Sequence, residues 1–265
     1  MPTAAQQALI DRAAALLQSD PRIEAAWLAG SLGAGGGDEW SDVDLLALVE
    51  DGATVAVSTA LAERLDEIAP IVLVNRLFGD IVLNAVTEDW DRFDISFTEA
   101  GGLAGHDANR LQPLFNRTGR EPPRKEPQPP PLRVTQLAQE FLRILGLMPL
   151  VLGRQEYHLG LTGAEHLRRH LYELFMDVNG VPLAERGGAL RRDPMLTADQ
   201  RAAMAALPAT GPTREGVMEG NLAFARLFLP AARAFAAERG AEWPAALEAA
   251  ARRNLQKHGI AADWD

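Results

Sequence analysis

The run from Ala29 to Glu50 constrains this chain more than any other. It reads Ala-Gly-Ser-Leu-Gly-Ala-Gly-Gly-Gly-Asp-Glu-Trp-Ser-Asp-Val-Asp-Leu-Leu-Ala-Leu-Val-Glu. With the apolar stretch from Ile23 to Ala29 before it, the pattern predicts a strand, a glycine-rich turn and a second strand from Asp42 to Val49. Gly30 and Ser31 then sit at the exit of the first strand, and Asp42 and Asp44 at the entry of the second. Side chains alternate along a strand, so the two carboxylates point the same way, roughly 7 Å apart, while Val43 and Leu45 point to the other face. Like charges side by side, next to a turn whose backbone can approach a phosphate, are costly unless something positive joins them. A divalent metal carrying a nucleotide suits that need.

The flanking sequence extends the pattern. Residues 3–18 carry Leu9, Ala13, Leu16 and Leu17 near helical spacing, and Asp20-Pro21 stops that helix. Val55 to Ile68 predicts a helix ended by Pro70. Ile71 to Leu77 and Ile81 to Thr87 predict a hairpin around Phe78-Gly79-Asp80. Trp90 to Phe97 is the last clear strand. On it Phe93, Ile95 and Phe97 share one face with Asp91, and Trp90, Arg92, Asp94 and Ser96 share the other. The aromatic face is the buried one, so Asp94 lies on the open face. There it is either a solvated carboxylate beside Arg92 or a third member of the Asp42–Asp44 set; beside the first motif, the second reading is adopted.

From Arg117 to Pro131 the chain turns polar and proline-rich, which predicts an extended linker. Beyond it only helical periodicity is found: Leu132 to Leu152, interrupted at Gly146 and Pro149; Gln155 to Asn179; Thr197 to Leu207; Thr213 to Arg239; and a last helix opened by Trp243-Pro244. The expected organisation is α+β: a lobe at 1–120 with a mixed sheet and helices, a linker at 121–131, and an all-α lobe at 132–265.

Charge and composition narrow the function. The net charge of −10 is carried by the first part: residues 1–121 hold 8 basic and 20 acidic groups, residues 122–265 hold 18 and 16. An acidic first lobe argues against a nucleic-acid partner and is compatible with a metal-bound nucleotide or a cationic small substrate. There is no cysteine, which excludes disulfides, zinc–thiolate sites and thiol catalysis within these residues. No apolar run approaches a membrane span and no leader pattern opens the sequence, so no membrane partner and a cytoplasmic location are expected. The glycines of 30–37 form neither a Gly-x-Gly-x-x-Gly fingerprint nor a P-loop. His166 and His170 stand four apart, but no acidic third ligand follows, and with His158 they read as ordinary helix residues.

With Gly30-Ser31, the Ser-Asp-Val-Asp-Leu run and a later strand carboxylate at Asp94, the first lobe resembles the nucleotidyltransferases of the DNA polymerase β superfamily. With a helical second lobe, the chain is similar to the antibiotic nucleotidyltransferases that act on aminoglycosides or lincosamides. The resemblance implies a polymerase-β-like nucleotidyltransferase lobe and a helical substrate-binding lobe. It implies transfer of AMP from ATP to a hydroxyl of a small molecule, with Mg2+ as cofactor and a nucleoside triphosphate as partner. It further implies that Asp42 and Asp44 hold the metals, Asp94 completes the site, Ser31 bonds a phosphate and Gly30 lets the backbone come close. A carboxylate of the helical lobe often serves as base in such enzymes, and Glu156 is the candidate. One departure stands out: Leu32 to Trp40 contains no basic residue. The triphosphate charge is then expected to be met by metal and backbone, or by the helical lobe, with Arg154 first and Arg168 and Arg169 next. Two other readings keep the same fold: an enzyme that nucleotidylates a protein, of the toxin–antitoxin type, and a non-catalytic nucleotide or ligand sensor.

Overall fold

The computed structural model describes residues 1–126, 128–186 and 191–264. The chain divides into two compact units, Met1–Glu126 and Pro127–Asp265.

The first unit is built on a mixed sheet. Helix α1 (Ala4–Ser19) starts at a capping box in which Thr3 and Gln6 satisfy each other's backbone N–H. Strand β1 (Ile23–Leu28), a one-turn helix α2 (Gly30–Gly33) and strand β2 (Val43–Val49) follow. Then come α3 (Thr54–Ala62), the hairpin β3 (Ile71–Leu77) and β4 (Val82–Thr87), β5 (Arg92–Thr98) and β6 (Gln112–Asn116). The strand order is β3-β4-β5-β2-β1-β6. β2 and β5 run parallel, and the other neighbouring pairs are antiparallel.

Alternation decides which face each strand buries. Val43, Leu45 and Ala47 of β2 and Phe93, Ile95 and Phe97 of β5 pack with Leu9, Leu17, Val57 and Leu61 from α1 and α3. On the opposite face Leu46, Leu48, Ala25 and Trp27 form a smaller cluster with Leu103. That cluster covers only one end of the face. The other end, where β2 and β5 begin, is left open to carry polar groups.

Three expectations need correction. The sheet has a sixth strand: β6 pairs with β1 at the edge and contains Pro113, which an edge strand tolerates because only one side needs ladder bonds. The helix expected over Val55 to Ile68 stops at Ala62, and a single 3₁₀ turn, Leu65–Glu67, leads to Pro70. The strand expected from Trp90 begins at Arg92; Trp90 sits in the β4–β5 turn at φ 66, with its N–H donating to Thr87 O.

The second unit is helical in its described elements: α4 (Val134–Gly146), α5 (Met148–Gly153), α6 (Tyr157–Val178), α7 (Ala198–Ala205), α8 (Arg214–Glu238) and α9 (Ala245–Lys257). Leu147 separates α4 from α5, so the stripe interrupted at Gly146 and Pro149 is two helices. Phe141 of α4 stacks on Phe228 of α8 at 4.0 Å between ring centroids. Glu248 of α9 accepts from the indoles of Trp243 and Trp264, at 2.7 and 3.0 Å, and from Arg233 at 2.6 Å. This ties the buried Trp264 to the helix core.

Candidate functional site

The site forms where β1 exits and β2 and β5 begin. β1 ends at Leu28, and the Ala29 N–H donates to Asp44 O at 2.8 Å, so the exit of one strand is clipped to the entry of the next. The chain then turns through α2. The stretch expected as a plain glycine turn is therefore a helical turn, closed by Gly33 N–H to Ala29 O at 2.7 Å. Gly30 takes φ 58, where a side chain is strained. Space forbids a side chain as well: a Cβ at residue 30 would lie 1.8 Å from Asp44 Oδ2. The carboxylate of Asp44 thus packs directly on the bare Cα of Gly30. Ser31 stands next to it, half-buried, and its hydroxyl makes no hydrogen bond among the described residues.

The loop leading to Asp42 is held from behind. Asp38 Oδ1 accepts from the Trp40 N–H at 3.1 Å and the Ser41 hydroxyl at 3.0 Å. Gln6 of α1 donates its amide to Asp38 O and Ser41 O at 3.0 and 2.8 Å. The aspartate before β2 is therefore presented by an ordered turn, in spite of the glycines around it.

Asp44 and Asp94 are direct partners in the parallel β2–β5 ladder. Their Cα atoms stand about 4.8 Å apart, as neighbouring strands require. Both side chains are half-buried on the open face. The carboxyl of Asp44 is pushed up to about 7, first by burial, then by the charges of Asp42 and Asp94, with Arg92 pulling the other way. Asp94 accepts from Asn84 Nδ2 at 2.7 Å, and Asn84 Oδ1 accepts from Asn75 Nδ2 at 3.1 Å.

Among the described residues, no three His, Asp or Glu side chains converge as a ready-made cage for a metal ion. The donor chemistry nevertheless fits a hard divalent cation. It is all oxygen, it carries three carboxylates on neighbouring strand ends, and one of them is destabilised as an anion by burial and like charge.

Of the residues named from the sequence, the first unit brings Gly30, Ser31, Asp42, Asp44 and Asp94 to one end of the sheet. Arg154 and Glu156 belong to the second unit. Arg154 ends α5 and Glu156 precedes α6; both are exposed, and Gln155 between them takes φ 58. Arg168 covers the ring of Phe224 at 5.5 Å and reaches Glu165 at 3.8 Å. The ring Nδ1 of His170 lies 2.7 Å from His166 O, a contact within one helix.

Two features were missed. The expectation that any protein cation must come from the helical lobe overlooks Arg92. It sits on the open face of β5, acts on Asp44, and makes no hydrogen bond or contact ion pair among the described residues. The amide pair Asn75–Asn84 was also unseen, because it depends on a cross-strand register that one sequence does not display.

No protein-family model matches the chain, and no curated protein matches it. Among solved structures, an aminoglycoside 6-adenyltransferase from Bacillus subtilis superposes with a TM-score of 0.43 and 13% identity, covering 95% of this chain and 96% of that one. A superposition this loose transfers no residue roles.

Proposed function

We propose that the chain is a nucleotidyltransferase that moves AMP from magnesium-bound ATP to a hydroxyl of a small molecule. The observation that supports this most is the in-register pair Asp44 and Asp94, with Asp44 packed on the bare Cα of Gly30 and its carboxyl pushed up to about 7. Asp42, Asp44 and Asp94 are the residues proposed to hold the metal. Magnesium, when bound, would neutralise the triphosphate and favour loss of the acceptor proton.

The chain's own residues then divide the work. Gly30 leaves room for the carboxylate of Asp44 against the backbone, and the Ser31 hydroxyl is proposed to donate to a phosphate. Arg92, from the same sheet, offers a guanidinium to the polyphosphate, and Arg154 of the helical unit is proposed as a further cation. In the reaction the acceptor oxygen bonds to the α-phosphorus while the bond to the bridging oxygen breaks and pyrophosphate leaves. Glu156 is the proposed base that takes the hydroxyl proton.

An antibiotic with free hydroxyls, an aminoglycoside or a lincosamide, is the proposed acceptor. This rests on the resemblance of the Gly-Ser, Asp-x-Asp and later-Asp set joined to a helical unit. The acidic first part of the chain would also draw a cationic acceptor. No described helix is long and apolar enough to cross a membrane; the cytoplasm, where ATP and magnesium are held, is the proposed location.

Calorimetric titration with MgATP, followed by turnover against an antibiotic panel, tests the proposal. Metal-dependent ATP binding with AMP appearing on a small acceptor supports it. AMP appearing only on a protein would replace it with protein modification, and binding without transfer to anything would replace it with a sensor.

A further inference from the structure

On the open face of the sheet, three rows of side chains run across β3, β4 and β5. Leu73 pairs with Val86 and Leu77 with Val82, so the two outer rows are apolar on the hairpin. Between them Asn75 pairs with Asn84, and Asn84 with Asp94, which in turn pairs with Asp44 of β2. The amides are thus the polar members of an otherwise aliphatic hairpin face, and they stand only in the row that leads to the carboxylates. A generally solvated face would not need that placement, since Leu73 and Leu77 remain 46% and 38% exposed beside them.

The direction of the hydrogen bonds is dictated by chemistry. An ionised carboxylate only accepts, so Asn84 must turn its nitrogen to Asp94; its oxygen then faces Asn75, which must present its own nitrogen. The distances of 2.7 and 3.1 Å agree with that chain of donors. The bond engages Asp94 Oδ1, while Oδ2 has no hydrogen-bond partner among the described residues. The side chains of Asp42 and Asp44 make no hydrogen bond among the described residues, so Asp94 alone of the three has its carboxylate plane set by a neighbour.

Resting on the metal role given above to Asp94, we infer that Asn84 is a positioning residue, steadied by Asn75, which holds one oxygen of Asp94 so that the other is presented for metal binding. Without the amide, the carboxylate must be ordered at the moment of binding, and that entropy is charged to affinity. Partners of this kind behind a metal ligand are typically worth about 10- to 100-fold in metal affinity or activity.

Two measurements on the full chain test the inference. The first needs no metal. In nitrogen-15 spectra, the side-chain amide of Asn84 should shift and exchange faster in Asp94→Ala; an unchanged Asn84 signal overturns the pairing. The second is Mn2+ affinity without nucleotide, read by electron paramagnetic resonance. Asn84→Leu, which keeps the branching and the number of side-chain heavy atoms, should weaken binding about tenfold or more with little change in Tm, and Asn75→Ala should weaken it less. In the Asp94→Ala background Asn84→Leu should add nothing, because it acts through Asp94. Equal Mn2+ affinity of Asn84→Leu and the parent, or full additivity with Asp94→Ala, overturns the inference. A parent that binds no Mn2+ overturns the metal role of the carboxylates, while the amide measurement still decides the pairing.

Discussion

Replacing Asp44 with Asn should make the metal-free protein more stable while ending its proposed activity. Asp44 ordinarily titrates at 3.8 and is pushed up to about 7 here by burial and by the charges of Asp42 and Asp94. Between those values the native state holds more protons than the unfolded chain, so stability falls as pH rises from about 4 to about 7 and is flat above. The full displacement corresponds to roughly 4 kcal/mol of native-state destabilisation at pH 8. Water on the open face screens part of it, so a gain of about 2 to 4 kcal/mol is expected for Asp44→Asn at pH 8. Near pH 4, where the folded carboxyl is protonated and the unfolded one is near its own midpoint, the gain should fall to within about 1 kcal/mol. The measurement is urea unfolding at both pH values in the presence of a chelator, followed by hydrogen exchange of peptides from Val43–Val49 so that the first unit alone is read. A gain that is absent at pH 8, or the same at both pH values, would refute the claim that a crowded, partly buried carboxylate sits there. Asp42→Asn, which removes only one of the contributions, should give a smaller gain.

Other outcomes follow from the same geometry. Gly30→Ala must fit a Cβ 1.8 Å from Asp44 Oδ2 at φ 58; it should displace Asp44, abolish Mn2+ binding and cost about 1–3 kcal/mol by urea unfolding. Arg92→Ala should raise the KM for ATP about tenfold with little loss of stability, as removal of one charge-assisted phosphate contact predicts; an unchanged KM would return the search for the cation to the helical unit. Glu156→Gln should lower kcat about 10²-fold or more while leaving Mn2+ affinity untouched, as loss of a base alone would do; unchanged kcat removes it from the mechanism.

Much of the candidate site's geometry was legible because strand alternation is a local rule. Phe93, Ile95 and Phe97 fixed the buried face of β5, and Asp94 had to point the other way, onto the face of Asp42 and Asp44. What stayed hidden was non-local. Asn75 and Asn84 are unremarkable polar residues until the β3–β4 and β4–β5 registers place them in line with Asp94. Arg92 reads as a companion of Asp94, and its action on Asp44 depends on the parallel pairing of β5 with β2. Strand β6 was masked by Pro113, which breaks the usual pattern but is harmless at an edge. Gly30 was read as permitting a close approach by phosphate; the side chain already pressed against it is Asp44.

The most direct test of the central claim is mass spectrometry of candidate acceptors after incubation with ATP, magnesium and the protein, beside its Asp42→Asn and Asp44→Asn variants. The account predicts an acceptor heavier by AMP less water, with matching pyrophosphate, for the parent alone and only when magnesium is present. Transfer at the parental rate by either variant would contradict it.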